Sequence, residues 1–88
     1  MLLKHYIEKY VNNMSINDVI EFGSKNGVSL TDMEAKIIFD TIKSDWETII
    51  FGDHNIVLNK VRSNLSTDLC SKINDLIITY KEKYKQLL

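Results

Sequence analysis

The 88 residues predict an all-α fold, a compact bundle of four to five helices closed by a long C-terminal helix. Three observations predict it. Apolar residues recur at three- and four-residue spacings along most of the chain, which lines them up on one face of a helix. Hydroxyl and acidic residues stand where those runs begin, and glycine or asparagine where they end, as helix caps require. Proline is absent throughout. Local and periodic signals agree, the condition under which a sequence specifies one structure.

The first helix carries Leu3, Tyr6, Ile7, Tyr10, Val11 and Met14 on one stripe, with Lys4, Glu8, Lys9 and Asn12 elsewhere on the turn. Asn12-Asn13 ends it, because asparagine favours turns and caps. Ser15 opens a second helix, with Asp18 three residues on in a near capping box and its charge at the positive end of the dipole. Ile16, Val19, Ile20 and Gly23 form its inner face. Gly27 supplies a left-handed stop after Lys25-Asn26, and Val28 folds back as the hydrophobic contact.

Thr31 and Glu34 make a T-x-x-E capping box, with Leu30 placed to staple onto Ala35. The stripe Ala35, Ile38, Phe39 and Ile42 then runs to about Ser44. Trp46, Ile49, Ile50 and Phe51 cluster before Gly52. Read alone, residues 48–51 suit a strand, but a lone strand leaves its ladder unpaired, so one or two helical turns are expected. Asp53 caps a further long element bearing Val57, Leu58, Val61 and Leu65. Ser66 caps the closing helix, expected to be the longest, with Asp68 in its first turn. Leu69, Cys70, Ile73, Leu76, Ile77, Tyr80, Tyr84 and Leu87 form its stripe, and Ile78 is the apolar residue on its polar side. From Thr67 to Tyr84 such a helix reaches roughly 30 Å, so Tyr84, Leu87 and Leu88 are free to overhang the core.

Length and composition bound the function. The chain reads as a single domain over residues 1–88, and its 44% hydrophobic and 26% charged residues are ordinary globular usage. One cysteine, Cys70, excludes an intrachain disulfide and any CxxC pair, which suits a reducing compartment. Lys4, His5 and Glu8 follow Met1-Leu2-Leu3 directly, so the N-terminus is neither a signal peptide nor a membrane span, and a cytoplasmic protein is expected. Net charge is -1, yet residues 12–54 hold three lysines and eight acids, while residues 55–88 hold six basic and three acidic groups. That asymmetry bears on partners.

Constellations that could carry chemistry are thin. Val19 to Ile38, with Gly23, Gly27, Val28 and Met33, has helix-turn-helix spacing, but the helix that would enter the groove carries Asp32, Glu34, Asp40 and Asp45 against Lys36 and Lys43, the wrong sign for a polyanion. Lys72, Lys81, Lys83 and Lys85 interleave with Tyr80 and Tyr84. The tyrosines fall on the buried stripe, so a solvated helix end is expected there rather than a base-stacking surface. His5 with Glu8, and Asp53 with His54, supply too few converging ligands for a metal, and a surface histidine beside an N-cap aspartate is the simpler reading. Cys70 reads as a core thiol. The three glycines fit no nucleotide loop, and no cofactor is expected. Trp46 suits either an interface anchor or a core plug.

The run from Met14 to Gly23, followed by Val28-Ser29-Leu30-Thr31 and an Ala35-bearing helix, resembles a small helical protein family of Gram-positive bacteria defined only as a domain of unknown function. The resemblance spans most of the chain and implies a cytosolic all-helical protein, with no catalytic or ligand residues to carry over. The reading that follows is a non-enzymatic interaction or assembly protein, self-associating as a homodimer or binding another protein, through Trp46, Phe51, Ile78, Tyr84, Leu87 and Leu88. The rival is a nucleic-acid-binding regulator of helix-turn-helix type. No membrane partner is expected.

Overall fold

A computed structural model of the chain describes residues 2–86. It is all-α, with five helices in the order α1 (Leu2–Asn13), α2 (Ile16–Lys25), α3 (Asp32–Phe51), α4 (His54–Val61) and α5 (Thr67–Lys83), and no strand among the described residues. None of its helices is long and apolar enough to cross a membrane. The chain divides into two units, Met1–Ser44 and Asp45–Leu88, with the boundary in the sequence falling inside α3.

In the first unit, local chemistry sets most of the helix ends. Asn13 closes α1 by donating its side-chain amide to the Lys9 carbonyl at 3.0 Å. The last turn of α1 has no basic residue of its own, and Lys43 of α3 supplies one, donating to the Asn12 carbonyl at 3.0 Å. Ser15 and Asp18 close a full capping box on α2, the Ser15 N–H reaching the Asp18 carboxylate at 2.9 Å and the Asp18 N–H reaching the Ser15 hydroxyl at 3.2 Å. α2 stops in a Schellman turn: Gly27 has φ +76°, its N–H bonds the Ser24 carbonyl, and the Val28 N–H bonds the Gly23 carbonyl at 2.8 Å. Thr31 and Glu34 make the second box, at 2.8 and 3.1 Å. Val11, Val19, Val28 and Ala35 are buried, Ala35 completely.

Two expectations for α1 are corrected. Tyr6 and Tyr10 are 69% and 70% exposed, not part of the core stripe. Val11 is buried and Leu3, Ile7 and Met14 half-buried, so the face turned inward is narrower than the full apolar stripe and the tyrosines fall on its shoulder.

At 20 residues α3 exceeds the 17 of α5, so the closing helix is not the longest. Its helical geometry breaks at Asp45 (φ -123°, ψ 15°). Ahead of the break the Thr41 hydroxyl donates to the Ile37 carbonyl at 2.7 Å and the Ser44 hydroxyl to the Thr41 carbonyl at 3.2 Å. Hydroxyls that bond back to the preceding turn bend helices, and aspartate is a poor helix former. Trp46–Phe51 then resumes as helix, as expected over the strand alternative.

In the second unit, Asp53 caps α4 by accepting from the Asn55 N–H at 3.0 Å, and Ser66 caps α5 by accepting from the Leu69 N–H at 3.1 Å. α4 is short, eight residues, and Leu65, expected on it, is buried in the turn that follows. α4 packs on α5. Val57, Leu58, Val61, Leu65, Leu69 and Cys70 are buried, and the Cys70 thiol is free. Ile38 and Ile73, expected in the core, are half-buried.

Candidate functional site

The residues singled out for a working surface all fall in the second unit. Of the two roles open to Trp46, the structure gives the core: it is 8% exposed, with the Phe51 ring edge-on at 6.5 Å and 69°. Phe51 covers Trp46 and is itself 39% exposed. Ile78 is 46% exposed, as its position on the polar side of α5 implies, and Tyr84 is 43% exposed. Leu87 and Leu88 lie outside the described residues.

Lys81 joins these pieces. Its ammonium donates to the Gly52 carbonyl at 2.9 Å and approaches His54 Nδ1 at 3.2 Å, while His54 Nε2 lies 3.0 Å from Asn74 Oδ1. Gly52 follows Phe51 directly, and Ile78 and Tyr84 lie three residues to either side of Lys81, one turn below and above it on α5. The Phe51–Gly52 turn is therefore tied to α5 at Lys81, between exposed Ile78 and the exposed C-cap residue Tyr84. Tyr84 is held in place locally. It stacks on Tyr80 at 6.2 Å and 14°, with the Lys83 ammonium 5.4 Å from its ring centre and 5.9 Å from that of Tyr80.

These contacts correct two expectations. Lys81 is half-buried and structural, not a solvated helix-end charge, and His54 is a half-buried bridge, not a surface histidine. The sequence carries no local signal for either, because the partners stand 20 to 29 positions apart. Tyr84, which the α5 stripe includes but which the helix length left free to overhang the core, is the C-cap of α5 and is exposed.

In the first unit Tyr6, Lys9, Tyr10, Asn13, Met14 and Asp18 line an open groove of about 290 Å³. That is the low end for a ligand site, and its openness gives it little power to desolvate a small molecule. Its polar groups are partly committed, Asp18 to the α2 cap and Asn13 to the end of α1.

The first turn of α3, which would face DNA in a helix-turn-helix reading, presents Asp32 and Glu34, and Lys36 is paired with Asp40 at 3.0 Å. Among the described residues no group of three or more histidine, cysteine, aspartate or glutamate side chains could hold a metal. Comparisons with protein-family models, with curated proteins and with solved structures return no match.

Proposed function

We propose that this chain is a non-enzymatic protein–protein interaction or assembly protein whose first partner is a second copy of itself. One observation carries the reading. All twelve isoleucines are half-buried or exposed, and none is among the buried hydrophobic residues, which are valines, leucines, Ala35, Trp46 and Cys70. Isoleucine ranks with the residues most often fully buried, so apolar surface on this scale is surface another molecule would cover. A small domain covers less of its apolar area than a large one, which adds to the gain from pairing.

Phe51, next to the Gly52 that Lys81 holds, and Ile78 and Tyr84, each three positions from Lys81, are exposed and are the proposed centre of the contact. Aromatic residues at such centres contribute most where the polar groups around them are already paired, as Lys81 is here. The rival reading of nucleic-acid binding has less support, because the first turn of α3 is acidic and the nearest lysine is neutralised by Asp40. Membership of the small helical family that the cap and core pattern resembles is part of the same proposal, as is a cytoplasmic setting, which suits the free Cys70 thiol.

Light scattering on the intact chain tests the reading. A mass of twice the 10.2 kDa chain is expected for the wild type, and a single-chain mass for an Ile78→Asp, Tyr84→Asp double variant with unchanged helix content by circular dichroism. A single-chain mass for the wild type at about 100 μM overturns it, since a useful self-association has a Kd below that. Binding of labelled duplex DNA with steep salt dependence would favour the rival instead.

A further inference from the structure

Of the eight asparagines in the chain, Asn26 alone is followed by glycine. An asparagine side chain in that setting is open to attack by the next backbone nitrogen, because glycine has no Cβ to crowd the approach. The fold itself demands this glycine, since φ at Gly27 is +76°. We propose that Asn26 is a latent self-modification site, kept as an amide by the Schellman turn and converted irreversibly to aspartate or isoaspartate when the end of α2 opens.

The reaction needs no co-reactant but water. Gly27 N loses its proton and bonds to Asn26 Cγ, the Cγ–Nδ2 bond breaks, and Nδ2 leaves as ammonia, which gives a five-membered succinimide. Water then opens the ring at Cγ, giving aspartate, or at the Asn26 backbone carbonyl carbon, giving isoaspartate with the chain running through the side chain. In the folded chain both reacting nitrogens are occupied. The Gly27 N–H is held by the Ser24 carbonyl at 3.1 Å, and Asn26 Nδ2 donates to the Phe22 carbonyl at 2.8 Å. The Asn26 N–H bonds the Gly23 carbonyl at 3.0 Å, with ψ of Asn26 at 17°. Ring closure must rotate ψ until the C–N bond lines up with Cα–Cβ, a setting outside the common helical and extended regions. These bonds must therefore break first, and a helix end is where local opening costs least. Gly27 is exposed, with nothing within 4 Å of an added Cβ, so water has access to the ring once it forms.

Either product keeps the end of α2 open. Aspartate at position 26 loses the Nδ2 donor and sets a carboxylate against the Phe22 carbonyl, at the negative end of the α2 dipole. Isoaspartate adds a methylene to the backbone, and the turn that brings the Val28 N–H to the Gly23 carbonyl at 2.8 Å no longer closes. Val28, buried in the first unit, then loses the bond that holds it there. Opening permits the chemistry and the chemistry prevents closing. The device lies wholly within the first unit and does not depend on self-association.

Peptide mapping by mass spectrometry on the full chain tests it, with samples held at mildly alkaline pH either native or in guanidinium chloride. In denaturant the Asn26 peptide should convert ahead of peptides holding the other asparagines, and at least about tenfold faster than in the native protein. Equal rates in the two conditions, or conversion led by another asparagine, overturn the proposal. Asn26→Asp, which matches one product, should melt about 4 °C below the wild type. A midpoint equal to or above that of the wild type overturns the one-way loosening. If Asn26→Asp does not fold, the two rates in the wild type decide alone.

Discussion

Gly23 and Gly27 lie four residues apart and are glycine for different reasons. At Gly27 the backbone has φ +76° and no neighbour within 4 Å of an added Cβ, so the cost of a side chain there is conformational. Left-handed geometry disfavours L-residues by about 1 kcal/mol, and Gly27→Ala should lose about that much in urea unfolding. At Gly23 the geometry is ordinary helix, and an added Cβ would stand 2.9 Å from the Val28 carbonyl oxygen and 3.1 Å from Leu30 Cδ1. Alanine would recover about 1 kcal/mol of helix propensity, but the clash is with the backbone that the Schellman turn holds in place. We expect Gly23→Ala to cost about 1–2 kcal/mol net, and a stabilised variant would show that the Val28 turn yields instead. Both glycines were legible in the sequence, Gly27 with its reason and Gly23 as an inner-face position, because how closely the Val28 carbonyl packs back on Gly23 is set by the turn geometry and leaves no mark in residue type.

At the scale of elements, side-chain caps start four of the five helices, and each is a pairing of residues two or three apart. That is why α2, α3, α4 and α5 begin where the sequence says they should. Thr31→Ala removes the hydroxyl that accepts from the Glu34 N–H, and it should cost about 1 kcal/mol, read as a lower urea midpoint with an unchanged slope. Ser66→Ala should cost a similar amount, through the Leu69 N–H it leaves unpaired. Features that depend on sequence-distant groups were not legible. Periodicity marks the apolar side of α1 without saying how wide a strip its neighbours cover, so it could not separate exposed Tyr6 and Tyr10 from buried Val11. The same holds for α5, whose stripe continues past the point where burial stops, leaving Tyr84 outside. For the candidate site, the misplaced apolar Ile78 was visible as an irregularity. The Lys81 bond to Gly52, 29 positions away, was not.

For the whole molecule, the question is what covers the isoleucines. The chain buries its valines and leaves ten isoleucines half-buried and two, Ile56 and Ile78, exposed, and covering that apolar area is what the proposed self-association would gain from. If a second copy takes it up, folding and pairing are linked, and stability must rise with protein concentration by mass action. For a dimer of chains this size, a tenfold rise in concentration should raise the thermal midpoint by about 4 °C, a shift a monomer cannot show. The Ile78→Asp, Tyr84→Asp variant separates the surface from the principle. Both side chains are substantially exposed in the single chain, so the substitutions should leave its intrinsic stability within about 0.5 kcal/mol. Its midpoint should therefore match that of the dilute wild type and stay there as concentration rises. A midpoint that climbs equally in wild type and variant would keep the dimer but move its contact away from Phe51, Ile78 and Tyr84. A flat midpoint in both would leave the isoleucines to a partner of another sequence.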